Sequence, residues 1–343
     1  MRLKARRGAG GPPCQPGAKR GSRVMKSGLE HLPESKRREL ERVVEVLFAE
    51  FEDAVAGGTG AHKRQGRILK IVLFGSYARG DWVADPVGGY VSDYDLLVVV
   101  NHEKLTDVLE YWTKAEDHLV REYTISHRLT APANFIVHSL GEVNRQLKKG
   151  RPFFIDIVRD GIALYEAPNH PFDRPGPLAP AEALKEAQGY LDYWLPMSAH
   201  AKQLADASLA NGVPRDAAFM LHQAAERAYH GCLLVLRLYS PKSHKLNFLR
   251  SQVEQLDARL IAAWPRETRF EQRSFELLRR AYVDARYSPH YRITAEELAW
   301  LGERIGVLQG LVWQVCEERL AACCQTKCTR CRISRFISRA VAY

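Results

Sequence analysis

At 343 residues, 46% hydrophobic and 26% charged, the chain is longer than one typical domain and can bury ordinary globular cores, so two domains are expected. No apolar run reaches membrane-spanning length, and the basic start lacks the apolar stretch of a secretory signal; the expectation is a soluble cytoplasmic protein with no membrane partner. The formal charge of +10 sits at the ends: residues 1–24 carry seven Lys/Arg and no acid, residues 322–343 carry five and no acid, and between them 38 bases face 40 acids, which excludes a body that binds polyanions generally.

Residues 1–24, rich in Gly, Pro, Arg and Lys, read as a basic disordered extension, and Met25 is a candidate translation start. From Ser35 to Ala56 the spacing of Leu40, Val43, Val44, Val46, Leu47 and Phe51 predicts an amphipathic helix, closed by Gly57, Gly58 and Gly60. ILKIVLF (68–74) and DLLVVV (95–100) are short, nearly continuous apolar runs that suit strands covered on both faces. A helix over 106–121, a strand at ANFIVHS, helices at EVNRQLKKG and PFFIDIV, and a strand at GIALY complete a small α/β domain over 25–166. The linker 167–180 holds five prolines. Beyond it, helices are expected at 181–209, 215–239, 244–263, 269–287 and 294–321, with Pro196 kinking or splitting the first and Thr294/Glu297 capping the last, which together predict an all-α bundle over 181–321. Residues 322–343 form a basic, Cys-rich tail. Five of the seven cysteines are Cys316, Cys323, Cys324, Cys328 and Cys331; the last four could supply thiolates to zinc, but they span nine residues without the separated halves of a zinc ribbon, and reduced thiols are the favoured reading. Cys14 and Cys232 stand alone.

FGSYARG places Gly75 and Ser76 directly after the first strand, where free backbone N–H groups and the hydroxyl could meet a phosphate, with Arg79 three residues on. In SDYDLLVVV, Asp93 and Asp95 alternate at the head of a strand, so both carboxylates share one face with Leu97 and Val99 while Tyr94, Leu96, Val98 and Val100 take the other. Two like charges so close call for a cation, and oxygen ligands of this kind suit Mg²⁺ shared with substrate phosphates.

This combination resembles the nucleotidyltransferase superfamily that includes polymerase-beta-like enzymes and minimal nucleotidyltransferases, whose pattern is a G-S turn followed by D-x-D. The resemblance implies that Asp93 and Asp95 are catalytic and hold Mg²⁺, that Gly75, Ser76 and Arg79 bind the nucleotide triphosphate, and that a nucleoside monophosphate, AMP from ATP or its equivalent from another NTP, moves to a protein or small-molecule acceptor. The gap from Gly80 to Ser92 is longer than in minimal members and is expected to form a hairpin. The family's third carboxylate falls at Asn134 here, leaving Asp156, Glu142 or Glu122 as acids that could replace it.

The second half resembles HEPN domains through HQAAERAYHGCLLVL, SPKSHKLNFL and AYVDARYSPHYRIT. By resemblance it implies an Arg/His ribonuclease pair, for which Arg286 and His290 are the candidates although only three residues separate them, and homodimerisation through the helical domain. RYSPHY as a structural corner remains the favoured alternative. Three functions stay open: a transferase whose acceptor could be a tyrosine, Tyr287 or Tyr291 included; a toxin–antitoxin-type HEPN ribonuclease acting on RNA under control of its transferase; and an inactive nucleotide-binding module. His222, His230 and His244 are expected to be structural.

Overall fold

The computed structural model describes residues 28–85 and 90–340, with side chains described for 28–83 and 91–322. The basic arm, Cys14 and Met25 lie outside the described residues, as do the side chains of Cys323, Cys324, Cys328 and Cys331.

The first domain runs α1 (Glu34–Val55), α2 (Ala61–Arg64), β1 (Ile68–Phe74), α3 (Gly75–Arg79), β2 (Ala84–Asp85), β3 (Tyr90–Val91), β4 (Tyr94–Val100), α4 (Val108–Tyr111), α5 (Thr113–Thr124), β5 (Ala133–Ser139), α6 (Leu140–Lys148), α7 (Pro152–Asp160) and β6 (Ile162–Glu166). Strands β5-β4-β1-β6 form one mixed sheet in which only β4 and β5 are parallel. β2 and β3 are the expected hairpin between the two motif strands. One helix had been expected over 106–121, but it breaks at Trp112. The Trp112 indole is buried and donates to the Leu105 carbonyl at 2.8 Å, and Asp107 caps α4 through the Glu110 N–H, so a wedge and a cap together override the helical period.

The sheet is covered on both faces, as the continuous apolar runs require. Ile71, Leu73, Tyr94, Leu96, Val98 and Val100 pack against α1 and α5. Val72, Phe74, Leu97 and Val99 face α6 and α7, and Phe248, from the second domain, completes that layer.

The helical domain is α8 (Pro180–Ala210), α9 (Pro214–Arg237), α10 (Leu246–Glu254), α11 (Arg269–Tyr287) and α12 (Ala295–Ala340) around a single core. Pro196 does not split α8. Ser198 Oγ donates to the Ala224 carbonyl at 2.7 Å and Arg227 to the Met197 carbonyl at 3.0 Å, so packing on α9 holds the turn that the proline weakens. The segment expected to be helical to 263 ends earlier: Asp257 accepts from the Arg259 N–H and starts a separate 3-10 turn at Ala258–Ala263. The Thr294–Glu297 capping box is present, with bonds of 2.8 and 3.1 Å. Leu298, Leu301, Ile305, Leu308 and Val312 line the domain's own core, and Cys316 is buried there beside Cys232. No helix among the described residues is long and apolar enough to cross a membrane.

The two domains share contacts rather than a bare linker. α9 is followed by Leu238, whose φ of 53° reverses the chain and delivers Tyr239 onto the sheet domain. There it stacks on Phe153 at 4.1 Å and shares a 2.9 Å hydrogen bond with His138. Lys245–Glu116 and Arg151–Glu186 ion pairs, at 2.9 and 2.6 Å, flank that anchor.

Candidate active site between the two domains

Register places the motif residues. β4 pairs antiparallel to β1 with Asp95 opposite Phe74, so the carboxylate lies beside the first residue of α3, Gly75; β5 runs parallel on the other side with Asn134 opposite Asp95. Gly75 has φ +75°, and a Cβ there would collide with the Asp95 carboxylate and stand 3.3 Å from Gln255 Oε1. Glycine is therefore demanded twice, by the left-handed backbone and by the close approach of the acid.

Asp93 and Asp95 are buried, Asp95 with no exposed surface. Asn134 Nδ2 donates to Asp93 Oδ2 at 2.8 Å, and Gln255 Nε2 donates to Asp95 Oδ2 at 3.2 Å. Burial, the Asp95 charge and the Glu254 charge push Asp93 well above the usual carboxylate range, against the pull of Asn134 and Ser251. Burial pushes Asp95 up to about 7, opposed by Gln255, Gln252 and the Arg79 charge. Asp95 Oδ1 and Ser76 Oγ are both buried without a hydrogen-bond partner. Buried polar atoms are paired in the great majority of cases, and these two orphans flank one glycine. Arg79 donates to Asp81 at 3.1 Å and, at 3.4 Å, to Gln255 Oε1. The Gln255 amide thus bridges the Arg79 guanidinium and the acid.

Residues 60–153 match the family "Polymerase beta, Nucleotidyltransferase", and residues 191–303 match the family "HEPN domain". The chain carries a nucleotidyltransferase domain followed by a HEPN domain. The comparison with curated proteins returned no match.

The acids proposed to replace the missing carboxylate are all engaged elsewhere. Glu122 is buried under Arg42, His118 and Arg128; Glu142 pairs with Arg145 and Gln146; Asp156 pairs with Arg159 and Arg237. Besides Asp95, the acid whose charge reaches Asp93 is Glu254 of the HEPN domain, itself held by Arg250 at 2.6 Å. Glu254, Gln252 and Gln255 escaped sequence reasoning because they sit on an ordinary-looking helix end, with Gln255 160 positions from Asp95.

In the HEPN domain, the Arg286 guanidinium lies over the rings of Phe219, Tyr282 and Tyr287, and its Nε donates to the Tyr282 carbonyl. Among the described residues no hydrogen bond joins it to His290, whose backbone N–H donates to Ser288 Oγ. Tyr287 is 72% exposed; Tyr291 is buried and donates to the Leu277 carbonyl at 3.0 Å. His222, His230 and His244 gather around buried Glu226, with His244 Nδ1 2.9 Å from its Oε1.

Proposed function

We propose that the chain is a Mg²⁺-dependent nucleotidyltransferase that transfers AMP from ATP to a hydroxyl of a protein or small-molecule acceptor. The observation that carries this reading is the buried acid pair beside Gly75, with Asp95 Oδ1 and Ser76 Oγ both lacking partners. The donor set fits the ion: Asp93 and Asp95 offer hard oxygen ligands on one strand face, and phosphate oxygens complete such a site. Bound there, Mg²⁺ would neutralise charge developing on the transferred phosphoryl group. The chain's own residues do the rest. Gly75 lets the triphosphate approach the backbone, Ser76 Oγ supplies a donor, and Arg79 offers its guanidinium once Gln255 gives way. The bond formed joins the acceptor oxygen to the α-phosphorus, the bond broken frees pyrophosphate, and the hydroxyl proton is released. Burial of the acids excludes water, which favours transfer over hydrolysis.

The test is mass spectrometry of the full chain incubated with Mg²⁺ and each NTP, alone and with cell extract. A nucleoside-monophosphate adduct on the chain or on an extract component, lost in the Asp93→Asn/Asp95→Asn double variant, is the expected result. Equal labelling by the double variant sinks the assignment.

A second reading, nucleotide binding without transfer, draws support from Asn134, an amide bonded to Asp93 where a third carboxylate was expected. ATP binding with no adduct under any acceptor would select it.

A further inference from the structure

A cavity of about 230 Å³ opens against Gly75 where the two domains meet. Three guanidiniums reach it: Arg79 and Arg159 from the nucleotidyltransferase domain and Arg237 from the HEPN domain. Arg237 is the last residue of α9, where the helix's negative end favours a cation, and the Leu238 turn fixes its exit from the helix. Its present partner is Asp156, which also binds Arg159 at 2.8 Å; Arg79 is held by Asp81. Gln252 lines the same cavity, and its buried Nε2 has no hydrogen-bond partner.

Resting on the transferase reading, we infer that this cavity receives the β- and γ-phosphates of the nucleotide, and that Arg237 and Gln252 of the HEPN domain are binding residues for them. Size favours the polyphosphate over the whole nucleotide: sites for drug-sized ligands run to roughly 300–1,000 Å³, above this cavity. The charge arrangement favours it as well. Burial, together with the charges of Arg79 and Arg319, pulls Arg237 below the ordinary guanidinium range. Each guanidinium is parked on an aspartate of the chain, and a polyphosphate can replace those aspartates with charge-assisted bonds of the same geometry. The consequence is that the HEPN domain is part of the nucleotide site and not merely a lid over it.

The test is calorimetric titration of the full chain with ATP, AMP and inorganic tripolyphosphate in the presence of Mg²⁺. Arg237→Ala and Gln252→Ala are expected to weaken ATP and tripolyphosphate by roughly ten- to a hundredfold each while leaving AMP within about twofold. ATP binding to Arg237→Ala at wild-type strength overturns the inference, as does an equal loss for AMP. Asp156 separates a binding role from a structural one. Asp156→Asn frees Arg237 and should bind ATP at least as tightly as wild type, and the Arg237→Ala/Asp156→Asn double variant should stay weak. Recovery of wild-type affinity in the double variant would mean that Arg237 served only the ion pair, which also overturns the inference. Wild-type protein that binds no ATP removes the transferase reading and this one with it. Wild-type protein that binds and transfers, with Arg237→Ala unaffected, removes this one alone.

Discussion

Asp93 immediately precedes β4 and Asp95 is its second residue, whereas Arg286 and His290 stand on either side of a helix end, and the two pairs meet different fates. A strand repeats every two residues, so alternation alone put both carboxylates on one face, next to Leu97 and Val99. Neighbouring strands then pressed Gly75 and Asn134 against them. A helix end imposes no such convergence. Pro289 follows the end of α11 at Tyr287, and the Arg286 guanidinium lies over three aromatic rings. The comparison teaches that a two-residue motif is as informative as the periodicity of the element beneath it.

The sharpest way to break that contrast is catalytic. The Asp93→Asn/Asp95→Asn protein should lose transfer by a hundredfold or more, while Arg286→Ala and His290→Ala transfer as wild type. RNA cleavage by the wild type that disappears in His290→Ala and survives loss of the aspartates would reverse the ranking of the two sites.

Next in size comes the acid pair's effect on stability. Asp95 has its folded pKa raised to about 7 from an ordinary value of 3.8, so the folded state binds the extra proton between those limits. Stability from this group is therefore highest in acid and falls as pH rises from about 4 through 7. At about 1.4 kcal/mol per unit, the cost at pH 8 is on the order of a few kcal/mol. Thermal melts should show Asp95→Asn more stable than wild type at pH 8 and equal to it near pH 4. Mg²⁺ should raise the wild-type Tm at pH 8 and leave that of Asp95→Asn unchanged; a Tm indifferent to both the ion and the substitution would mean that the carboxylate is not strained.

Gly75→Ala sharpens the comparison from the backbone side. The left-handed φ alone costs about 1–2 kcal/mol, and the Cβ must also displace Asp95. Chemical denaturation should register that loss together with weakened ATP binding, whereas a neutral result would mean that the turn has room to relax. A smaller effect is expected at the domain contact: Tyr239→Phe removes the hydrogen bond to His138 and should cost about 1 kcal/mol by the same denaturation assay. His290→Ala, at an exposed corner, should change stability by less than about 0.5 kcal/mol.

Much of the scaffold was legible in the residues themselves. Short, nearly continuous apolar runs marked β1 and β4, and period-two alternation gave Asp93 and Asp95 their common face, because each of these signals is local and each residue's neighbours along the chain dictate it. Trp112 and Asp257 broke helices that periodicity would have continued, since one buried indole or one capping carboxylate outweighs a weak propensity. What only the tertiary structure decided is who faces the acids. Gln252, Glu254 and Gln255 look like ordinary polar positions at a helix end, and they come beside the acids because Tyr239 and Phe248 dock the helical domain on the sheet face that carries Asp93 and Asp95. That docking buries apolar surface without demanding any particular local pattern, so the chemistry it delivers is written in the packing of two distant segments and not in either one alone.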